Sequence, residues 1–529
     1  MLLLCSSARD GFPIGPASAG FLPRSASTAR SPCLADYILY TCEMTDYDVV
    51  IVGAGISGIN SAYRLQTQLP HLRYTILEAR GSLGGTWDLF KYPGIRSDSD
   101  LFTFGFAWHP WDQDNAIAEG PAIVNYLKRT TAQYGIDRHI QYGQHLRGAD
   151  WSSADSTWSL SVENTADEQM KTLSARFIIF GTGYYDYETP LQTEIPGLDQ
   201  FTGQVVHPQF WPEELDYSDK RIVIIGSGAT AVTLLPSLVQ KAQHVTMLQR
   251  SPTYILALPN RKPLMSRILP AFIARHLIRL SWMLTSRIFF LFCQAFPLIA
   301  RSILRFQTKS LLPKEVPWDP HFKPRYNPWD QRLCVSPNGD FYQSLHTGKA
   351  AVKTDTIKAV TSKGIELNSG EFLSADMIIP ATGLRLRIAG GASISVDGVP
   401  VHLSDKFIWH GMMLQDMPNA AFIIGYTNAS WTLGADATAL TICRILKNLE
   451  KRGFSAVAPR LSPSLAATIQ PRRLLNLSST YVTKAEKDLP RAADRGPWVP
   501  RDNYFSDLWF AKYGNIEEGM EFLGEKKTL

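Results

Sequence analysis

Two glycine-rich turns in this sequence have the spacing that binds the phosphates of a dinucleotide. The first follows the apolar run 49–52 in "YDVVIVGAGISG" and places glycines at 53, 55 and 58, with Ser57 before the last of them. Gly53 permits a tight turn, Gly55 lets backbone N–H groups approach a pyrophosphate, and Gly58 allows the next helix to pack closely on the strand. The N-terminus of that helix then faces the anion.

A carboxylate and an arginine distinguish the strands that follow the two turns. In the first fold "YTILEAR" carries Glu78, which can accept hydrogen bonds from ribose hydroxyls. The second turn follows the apolar run 222–225 and contains Gly226, Ser227, Gly228 and Ala231. Its next strand, "HVTMLQRSP", carries Gln249 and then Arg250, and an arginine accommodates the 2′-phosphate that a carboxylate would repel. We therefore predict FAD at the first site and NADPH at the second.

The strands and turns that position these residues predict an α/β fold. It has two interleaved Rossmann-like dinucleotide-binding domains and a helical insertion. "FIIFGTGYY" and "MIIPATGLR" each resemble the returning strand at which flavin-dependent pyridine-nucleotide oxidoreductases cross between their two domains. The predicted FAD-binding domain comprises 44–180 and 380–529, including a C-terminal tail. The NADPH-binding domain comprises 181–255 and 331–379, and the insertion is 256–330.

Two longer motifs carry a family resemblance. "FTGQVVHPQFWP", residues 201–212, fits F-x-G-x-x-x-H-x-x-x-W-P at every fixed position and lies between the two glycine turns. "GGTWDLFKYPGIRSD", residues 84–98, joins Gly-Gly-x-Trp to Tyr-Pro-Gly and Asp98. Over residues 45–510 the chain resembles the type I Baeyer–Villiger monooxygenases. It is most similar to the ethionamide-activating monooxygenase branch, through "YPGIRSDSD", "YNPWDQRLCV" and "GYTNASWTL".

The resemblance implies an enzyme that uses FAD, NADPH and O2 to convert ketones to esters or lactones through a flavin C4a-peroxide. It also implies oxidation of thioethers. Arg332 corresponds to the active-site cation, and Asp98 to the carboxylate that pairs with it. His207 and Trp211 complete the predicted catalytic set, and they correspond to residues that couple movement of the NADPH domain to the flavin site. The implied flavin contacts are Ser57, Thr86, Trp87, Asp88 and Leu89, and the implied NADP contacts are Thr230, Arg250 and Ser251.

Some positions depart from the family pattern or leave alternatives open. Many members carry Lys just before the active-site arginine, whereas this chain has Gln331, so Arg250 bears more of the 2′-phosphate binding. Trp431 and Tyr426 either line the substrate cavity or are packing residues. The runner-up function is a flavin-containing N- or S-oxygenase, against which Trp211 and Arg332 count. A disulfide reductase shares the layout but needs a cysteine pair, and a non-catalytic FAD scaffold would not need the catalytic positions filled.

Composition limits the class of protein and its compartment. The chain has 529 residues and a net charge of +5, which gives no case for binding nucleic acid. Its six cysteines form no C-x-x-C pair and have no histidine partners at metal spacing. This usage predicts a reducing compartment, hence a cytoplasmic protein, and no metal site.

Two segments lie outside the dinucleotide-binding pattern. Residues 1–43 are rich in Ser, Ala, Gly and Pro with three arginines, as in a disordered extension, a misplaced start or a mitochondrial targeting segment. Residues 266–309 alternate apolar clusters with arginines, and the uncharged run 288–300 is shorter than the roughly 20 residues of a membrane span. We expect amphipathic helices there, which either pack on the protein or make peripheral contact with an anionic membrane.

Overall fold

The computed structural model describes residues 45–261, 263 and 265–524. The expectations for 1–43 therefore lie outside the described residues. The helices are, in chain order, α1 (Ile56–Gln68), α2 (Thr86–Leu89), α3 (Leu101–Phe104), α4 (Gly120–Tyr134), α5 (Ala229–Leu238), α6 (Met265–Ile268), α7 (Ala271–Ala295), α8 (Pro297–Leu311), α9 (Asp340–His346), α10 (Trp431–Arg452), α11 (Pro463–Ala466), α12 (Thr480–Ala485) and α13 (Tyr504–Tyr513).

The strands form two larger sheets and several short ladders. In chain order they are β1 (Tyr47–Val52), β2 (Tyr74–Glu78), β3 (Ile140–Tyr142), β4 (Gln144–Ser152), β5 (Thr157–Asn164), β6 (Met170–Phe180), β7 (Gln204–Val205), β8 (Arg221–Ile225), β9 (His244–Gln249), β10 (Ile255–Leu258), β11 (Cys334–Pro337), β12 (Ala350–Thr354), β13 (Ile357–Thr361), β14 (Gly364–Leu367), β15 (Phe372–Ser374), β16 (Met377–Pro380), β17 (Ser393–Val396), β18 (Val399–Pro400), β19 (Ile408–Trp409), β20 (Met413–Leu414), β21 (Ala420–Phe422), β22 (Ala456–Pro459), β23 (Pro471–Arg472), β24 (Ala492–Ala493) and β25 (Met520–Leu523).

The first sheet surrounds β1, whose residues 49–52 are buried because the sheet is covered on both faces. Strand β1 pairs in parallel with β2 and with the end of β6, and β2 pairs in parallel with β3. The last three residues of β6 also pair with β21, which comes from much later in the chain. Strands β4, β5 and β6 form an antiparallel meander, and β17 joins the edge of β4.

The second sheet is parallel throughout, in the order β12-β9-β8-β16-β7. It takes β7, β8 and β9 from before the helical insertion, and β12 and β16 from after it. The chain thus leaves the first sheet at β6 and returns to it at β17. The predicted fold class, with two interleaved Rossmann-like units, is confirmed.

The insertion contains the helical hairpin α7–α8, which contacts both sheet units. Arg279 on α7 is buried, and its Nη1 donates to the carbonyls of Phe102, Thr103 and Gly105 at the end of α3. On α8, Gln307 donates to the carbonyl of Ala257 in β10. Helix α7 is a continuous 25-residue helix, so by length and composition it could cross a membrane. The uncharged run 288–300 did not predict this length. The helix begins well before the run, includes Arg275, Arg279 and Arg287, and ends at Ala295, before Pro297.

Candidate active site

A cavity of about 1170 Å³ lies where the glycine turns of the two sheet units meet. Most residues expected to bind cofactor or act in catalysis line it: Gly53, Gly55, Ser57, Glu78, Thr86, Trp87, Leu89, Asp98, Gly226, Ser227, Gly228, Thr230, Arg250, Ser251 and Arg332. Five do not line it: Gly58, Asp88, His207, Trp211 and Ala231. The parallel strands of both units therefore direct their carboxyl ends towards one space, as open α/β sheets do at a ligand site.

Backbone crowding explains the glycines of the first turn. Gly53 has φ +100°, and a Cβ there would lie 2.9 Å from the carbonyl oxygen of Gly181. A Cβ at Gly58 would lie 1.9 Å from the carbonyl oxygen of Gly53, so this glycine serves helix packing. A Cβ at Gly55 would meet only Gly85, at 3.7 Å or more. Gly55 is thus the position where a ligand phosphate can approach the backbone.

The N-termini of α1 and α5 suit the two expected dinucleotides. Helix α1 begins after Gly55 and α5 after Gly228, and neither N-cap carries a side-chain hydrogen bond. Neither first turn contains an acidic residue, although every residue of both turns is described. Free N–H groups and the positive end of the helix dipole then face the cavity, which is the environment that a pyrophosphate requires. Both turns fit a bound dinucleotide.

Glu78 is held in the orientation that a ribose-binding carboxylate needs. Its Oε2 accepts from the N–H of Ala54 at 2.7 Å, and its Oε1 accepts from the N–H of Arg80 at 3.0 Å. Burial raises the pKa of Glu78, although these two N–H groups act in the opposite direction. Because each carboxylate oxygen has two lone pairs, Glu78 can still accept from hydroxyls in the cavity.

At the second turn, Arg250 and Gln249 have different tasks. Gln249 is buried, and its Nε2 donates to the His321 carbonyl at 2.7 Å and to the Thr354 hydroxyl at 2.9 Å. It therefore supports the sheet. Arg250 is exposed at the cavity, with no hydrogen bond or ion pair to the part of the chain that is described. Its guanidinium is available to a ligand phosphate.

The loop 84–98 carries flavin-side residues onto the NADPH-side helix α5. Gly94 has φ +77°, and a Cβ there would lie 3.0 Å from the carbonyl oxygen of Thr233 in α5. Tyr92 is buried in the same apolar cluster as Val232 and Leu235 of α5. The Tyr-Pro-Gly part of the motif thus fixes the distance between the two units and brings Asp98 into the cavity.

Asp88 supports the flavin side from outside the cavity. Its carboxylate accepts from Arg80 at 2.6 Å and also from the Ser82 hydroxyl. Arg80 itself lines the cavity. Asp88 therefore holds a cavity residue in place.

Arg332 and Asp98 face the same cavity without touching each other. Burial raises the pKa of Asp98 to about 6, although Arg332 and Arg96 lower it. Burial alone would lower the pKa of Arg332, but Tyr184, Tyr481 and Asp98 outweigh it and the pKa is raised. No hydrogen bond or ion pair within 4.0 Å joins the two side chains, both of which are described. The predicted pairing is therefore a longer-range attraction here, and the guanidinium remains a permanent cation.

Three tyrosines beside Arg332 were not found by sequence analysis: Tyr184, Tyr185 and Tyr481. The hydroxyls of Tyr184 and Tyr185 lie 3.1 Å apart. Tyr184 stacks on Trp431 with ring centroids 4.8 Å apart, and the indole N–H of Trp431 donates to Ser57 at 2.8 Å. The position of the first two directly after the turn that ends β6 was an available signal, whereas Tyr481 had no local signal.

Of the two residues left open, Trp431 and Tyr426, only Trp431 lines the cavity. Tyr426 is buried among Leu433 and Tyr504, and its hydroxyl donates to Asp507. The packing alternative therefore applies to Tyr426.

The connector 201–212 reaches the cavity indirectly. Sequence analysis grouped His207 and Trp211 with the catalytic residues, but the structure places both outside the cavity. The Nδ1 of His207 accepts from the Gln209 N–H at 3.2 Å, and burial lowers the pKa of this histidine. Trp211 is buried edge-on against Tyr217. Gln209 is the link, because its Nε2 donates at 2.7 Å to the carbonyl of Asp186, which lines the cavity.

Cysteine and metal chemistry have little support in this site. Cys293, Cys334 and Cys443 are buried free thiols, and burial raises the pKa of each. Cys334 lines the cavity without another described cysteine beside it. Over the described ranges there is no group of three or more His, Cys, Asp or Glu side chains that could hold a metal ion.

Comparison with known proteins relates these features to enzymes. Residues 50–261 match the family described as pyridine nucleotide-disulphide oxidoreductase. The chain is 47% identical to the FAD-containing monooxygenase EthA of Mycolicibacterium smegmatis, over 89% of this chain and 96% of that protein. It is 44% identical to EthA of Mycobacterium tuberculosis, over 90% of this chain and 98% of that protein. It is 41% identical to the probable FAD-binding monooxygenase AlmA of Acinetobacter baylyi, over 91% of this chain and 96% of that protein.

Solved structures share the fold at lower identity. The open crystal structure of cyclohexanone monooxygenase aligns with a TM-score of 0.69 and 20% identity, over 90% of this chain and 99% of that one. The OTEMO complex with FAD and NADP aligns with a TM-score of 0.69 and 18% identity, over 91% of this chain and 100% of that one.

Proposed function

This chain belongs to the FAD-containing monooxygenase family that includes EthA, and from that membership we propose that it converts ketones to esters or lactones. The reaction uses NADPH and O2, and thioethers are also oxidised. The observation that carries the proposal is the Arg332 guanidinium, a permanent cation in the same cavity as both glycine turns. Negative charge that develops on oxygen during ketone oxidation requires such a fixed cation.

The two turns account for the cofactors. FAD would be held by Gly53, Gly55, the N-terminus of α1 and Glu78, with Ser57, Thr86, Trp87 and Leu89 along the same side of the cavity. NADPH would be held by the N-terminus of α5, Thr230, Ser251 and Arg250. When bound, FAD would supply the hydride acceptor and the activation of O2 that this reaction needs. The protein supplies binding, orientation and charge.

Arg332 is the residue that distinguishes ketone oxidation from NADPH oxidation alone. Its guanidinium cannot lose its proton under working conditions, and its N–H groups can donate to two oxygens at once. Asp98 attracts the guanidinium without neutralising it by contact, so these N–H groups stay available to the reacting oxygens. Trp431 and Tyr184 form an aromatic wall beside it, which suits an apolar ketone.

Arg332→Ala tests the proposal directly. We expect flavin content and anaerobic flavin reduction by NADPH to stay near the wild-type values. Ester formation should fall by about 10²- to 10³-fold, the usual cost of losing one group that stabilises an oxyanion. NADPH would then be oxidised with release of hydrogen peroxide. Arg332→Lys should recover part of the ester, since charge is kept and the two-oxygen geometry is lost.

Arg385→Ala is the matched control. Arg385 is a nearby arginine, 3.6 Å from the Asp186 carboxylate, that does not line the cavity. The ester yield of the Arg385→Ala variant should match that of the wild type. Unchanged ketone oxidation by Arg332→Ala would refute the role given to this arginine.

A flavin-containing N- or S-oxygenase is the competing function. Amines and thioethers are themselves nucleophiles, so their oxidation does not need a cation to stabilise an oxyanion. If Arg332→Ala retained sulfide oxidation while wild-type protein gave no ester from a panel of ketones, this alternative would replace ours. A disulfide reductase is disfavoured, because Cys334 is the single cysteine on the cavity among the described residues.

We propose that the enzyme is cytoplasmic. The free thiols of Cys293, Cys334 and Cys443 and the dependence on NADPH support a reducing compartment. Fusion of residues 1–43 to a fluorescent reporter would test the mitochondrial alternative, since a targeting segment would direct the reporter to that organelle.

A further inference from the structure

Helices α7 and α8 carry large apolar side chains that the rest of the described protein leaves uncovered. On α7, Leu277, Leu280, Leu284, Ile288 and Leu291 recur at intervals of three and four residues, so they share one helix face. Each of the five is at least 40% exposed. On α8, Leu298 is 74% exposed and Phe306 is 76% exposed. We call these seven residues the α7–α8 face. An uncovered apolar area of this extent marks an interaction surface.

The other side of α7 is fixed to the protein. Ala274, Ile278 and Cys293 are buried, and the guanidinium of Arg279 donates to three carbonyls around the end of α3. Arg287 also forms an ion pair with Asp502 at 3.1 Å. A helix that crossed a bilayer would expose these polar contacts to hydrocarbon. The long α7 is therefore suited to lie along a surface, with one face available and one face packed.

The charged side chains of helices α7 and α8 are all basic. Residues 220–314 contain no Asp or Glu. Arg275 on α7 and Arg305 and Lys309 on α8 are exposed, and Arg305 lies 4.5 Å from the ring centre of Trp318. Each basic residue close to anionic lipid raises affinity about fivefold. Symmetric packing of two copies through this face would bring the basic side chains of α7 and α8 together, and neither helix carries an acidic residue to offset them.

We infer that the α7–α8 face docks on the surface of an anionic lipid membrane, with both helices in the plane of the interface. The apolar side chains enter the boundary between headgroups and acyl chains, while Arg275, Arg305 and Lys309 contact lipid phosphates. Binding through this face does not require the proposed oxidation chemistry. A failure of either idea therefore leaves the other standing.

Sedimentation of the flavin-loaded protein with vesicles tests the inference. Vesicles of phosphatidylcholine with phosphatidylglycerol are compared with phosphatidylcholine alone, at low salt and at high salt. We expect binding to the anionic vesicles at low salt and at least a tenfold loss of affinity at high salt. Leu298→Ser with Phe306→Ser should weaken binding at least tenfold, and so should Arg275→Gln with Arg305→Gln.

Control variants separate this face from general surface effects. Phe372→Ser with Val399→Ser removes two exposed apolar side chains from other parts of the surface, 47% and 66% exposed. Lys349→Gln removes an exposed positive charge elsewhere. These variants should bind like wild type, and every variant should keep its flavin and its NADPH oxidation rate.

Three results would overturn the inference. One is wild-type protein that stays in the supernatant with anionic vesicles at low salt. Another is vesicle binding that the variants of the α7–α8 face leave unchanged. The third is a dimer, detected by light scattering, that Leu298→Ser with Phe306→Ser dissociates while no variant binds vesicles, since a second copy would then cover the face.

Discussion

Replacing Asp98 by Asn tests how strongly the cavity disfavours a negative charge at that position. The pKa of this carboxyl is about 6 in the folded protein against an ordinary value of 3.8, chiefly because of burial. The folded state therefore holds the proton more tightly than the unfolded state. The carboxyl contributes stability that is fully present below pH 3.8 and is lost as pH rises through about 6.

The size of the effect follows from the two pKa values. A shift of about two units corresponds to about 3 kcal/mol of unfolding free energy once the group is ionised in both states. At pH 5 only about 1.6 kcal/mol of this is lost, because the folded carboxyl is still mostly protonated. The asparagine side chain of the variant does not titrate between pH 5 and pH 8. From pH 5 to pH 8 the wild type should therefore lose about 1.4 kcal/mol relative to Asp98→Asn.

Urea unfolding of the flavin-free protein at the two pH values provides the measurement. Asp199→Asn, on an exposed side chain, is the control, and it should stay within about 0.5 kcal/mol of wild type at both values. If the stability difference between wild type and Asp98→Asn were the same at pH 5 and pH 8, the carboxyl would titrate normally. Burial would then not set its charge, and our account of the pair with Arg332 would fail.

Four further variants test the NADPH side. Arg250→Ser should raise the KM for NADPH about tenfold and leave the KM for NADH unchanged, because the only interaction lost is the one between the guanidinium and the 2′-phosphate. Gln331→Lys should lower the KM for NADPH. If either variant changed the KM values for NADPH and NADH equally, the assignment of the 2′-phosphate site would be wrong. Gly226→Ala should lower the unfolding free energy by more than about 3 kcal/mol, because φ is +142° and the Cβ would lie 2.2 Å from the Ala381 carbonyl oxygen. Gly228→Ala, with no atom within 4 Å of its Cβ, should fold and keep FAD yet bind NADPH poorly; normal NADPH binding by this variant would show that no phosphate approaches Gly228.

The glycine turns, their strands and the fold class could be predicted from the sequence because their requirements are local. Gly53 and Gly226 are demanded by backbone dihedrals and by carbonyl groups of the adjoining strand turns. The apolar run of β1 is continuous because both sides of a parallel sheet are covered. Each of these requirements therefore appears as a pattern of residue types within a short stretch of the sequence.

Side-chain placement was less predictable, since it depends on segments far apart in the chain. The spacing of His207 and Trp211 describes a connector and does not say which side chain reaches the cavity; Gln209 does so, through the Asp186 carbonyl. Tyr481 reaches Arg332 across about 150 residues of chain. Asp88 lies within a matched motif, yet Arg80 and Ser82 occupy its carboxylate.

The pairing of β6 with β21 has a consequence for how this protein is made. Residues Ile178 to Phe180 pair with Ala420 to Phe422, so one edge of the flavin-side sheet stays open until more than 400 residues have been synthesised. An unpaired apolar edge on a growing chain invites aggregation. This edge is covered only when the last fifth of the polypeptide has begun to emerge. We expect truncated products that end before residue 420 to be less soluble than the full chain.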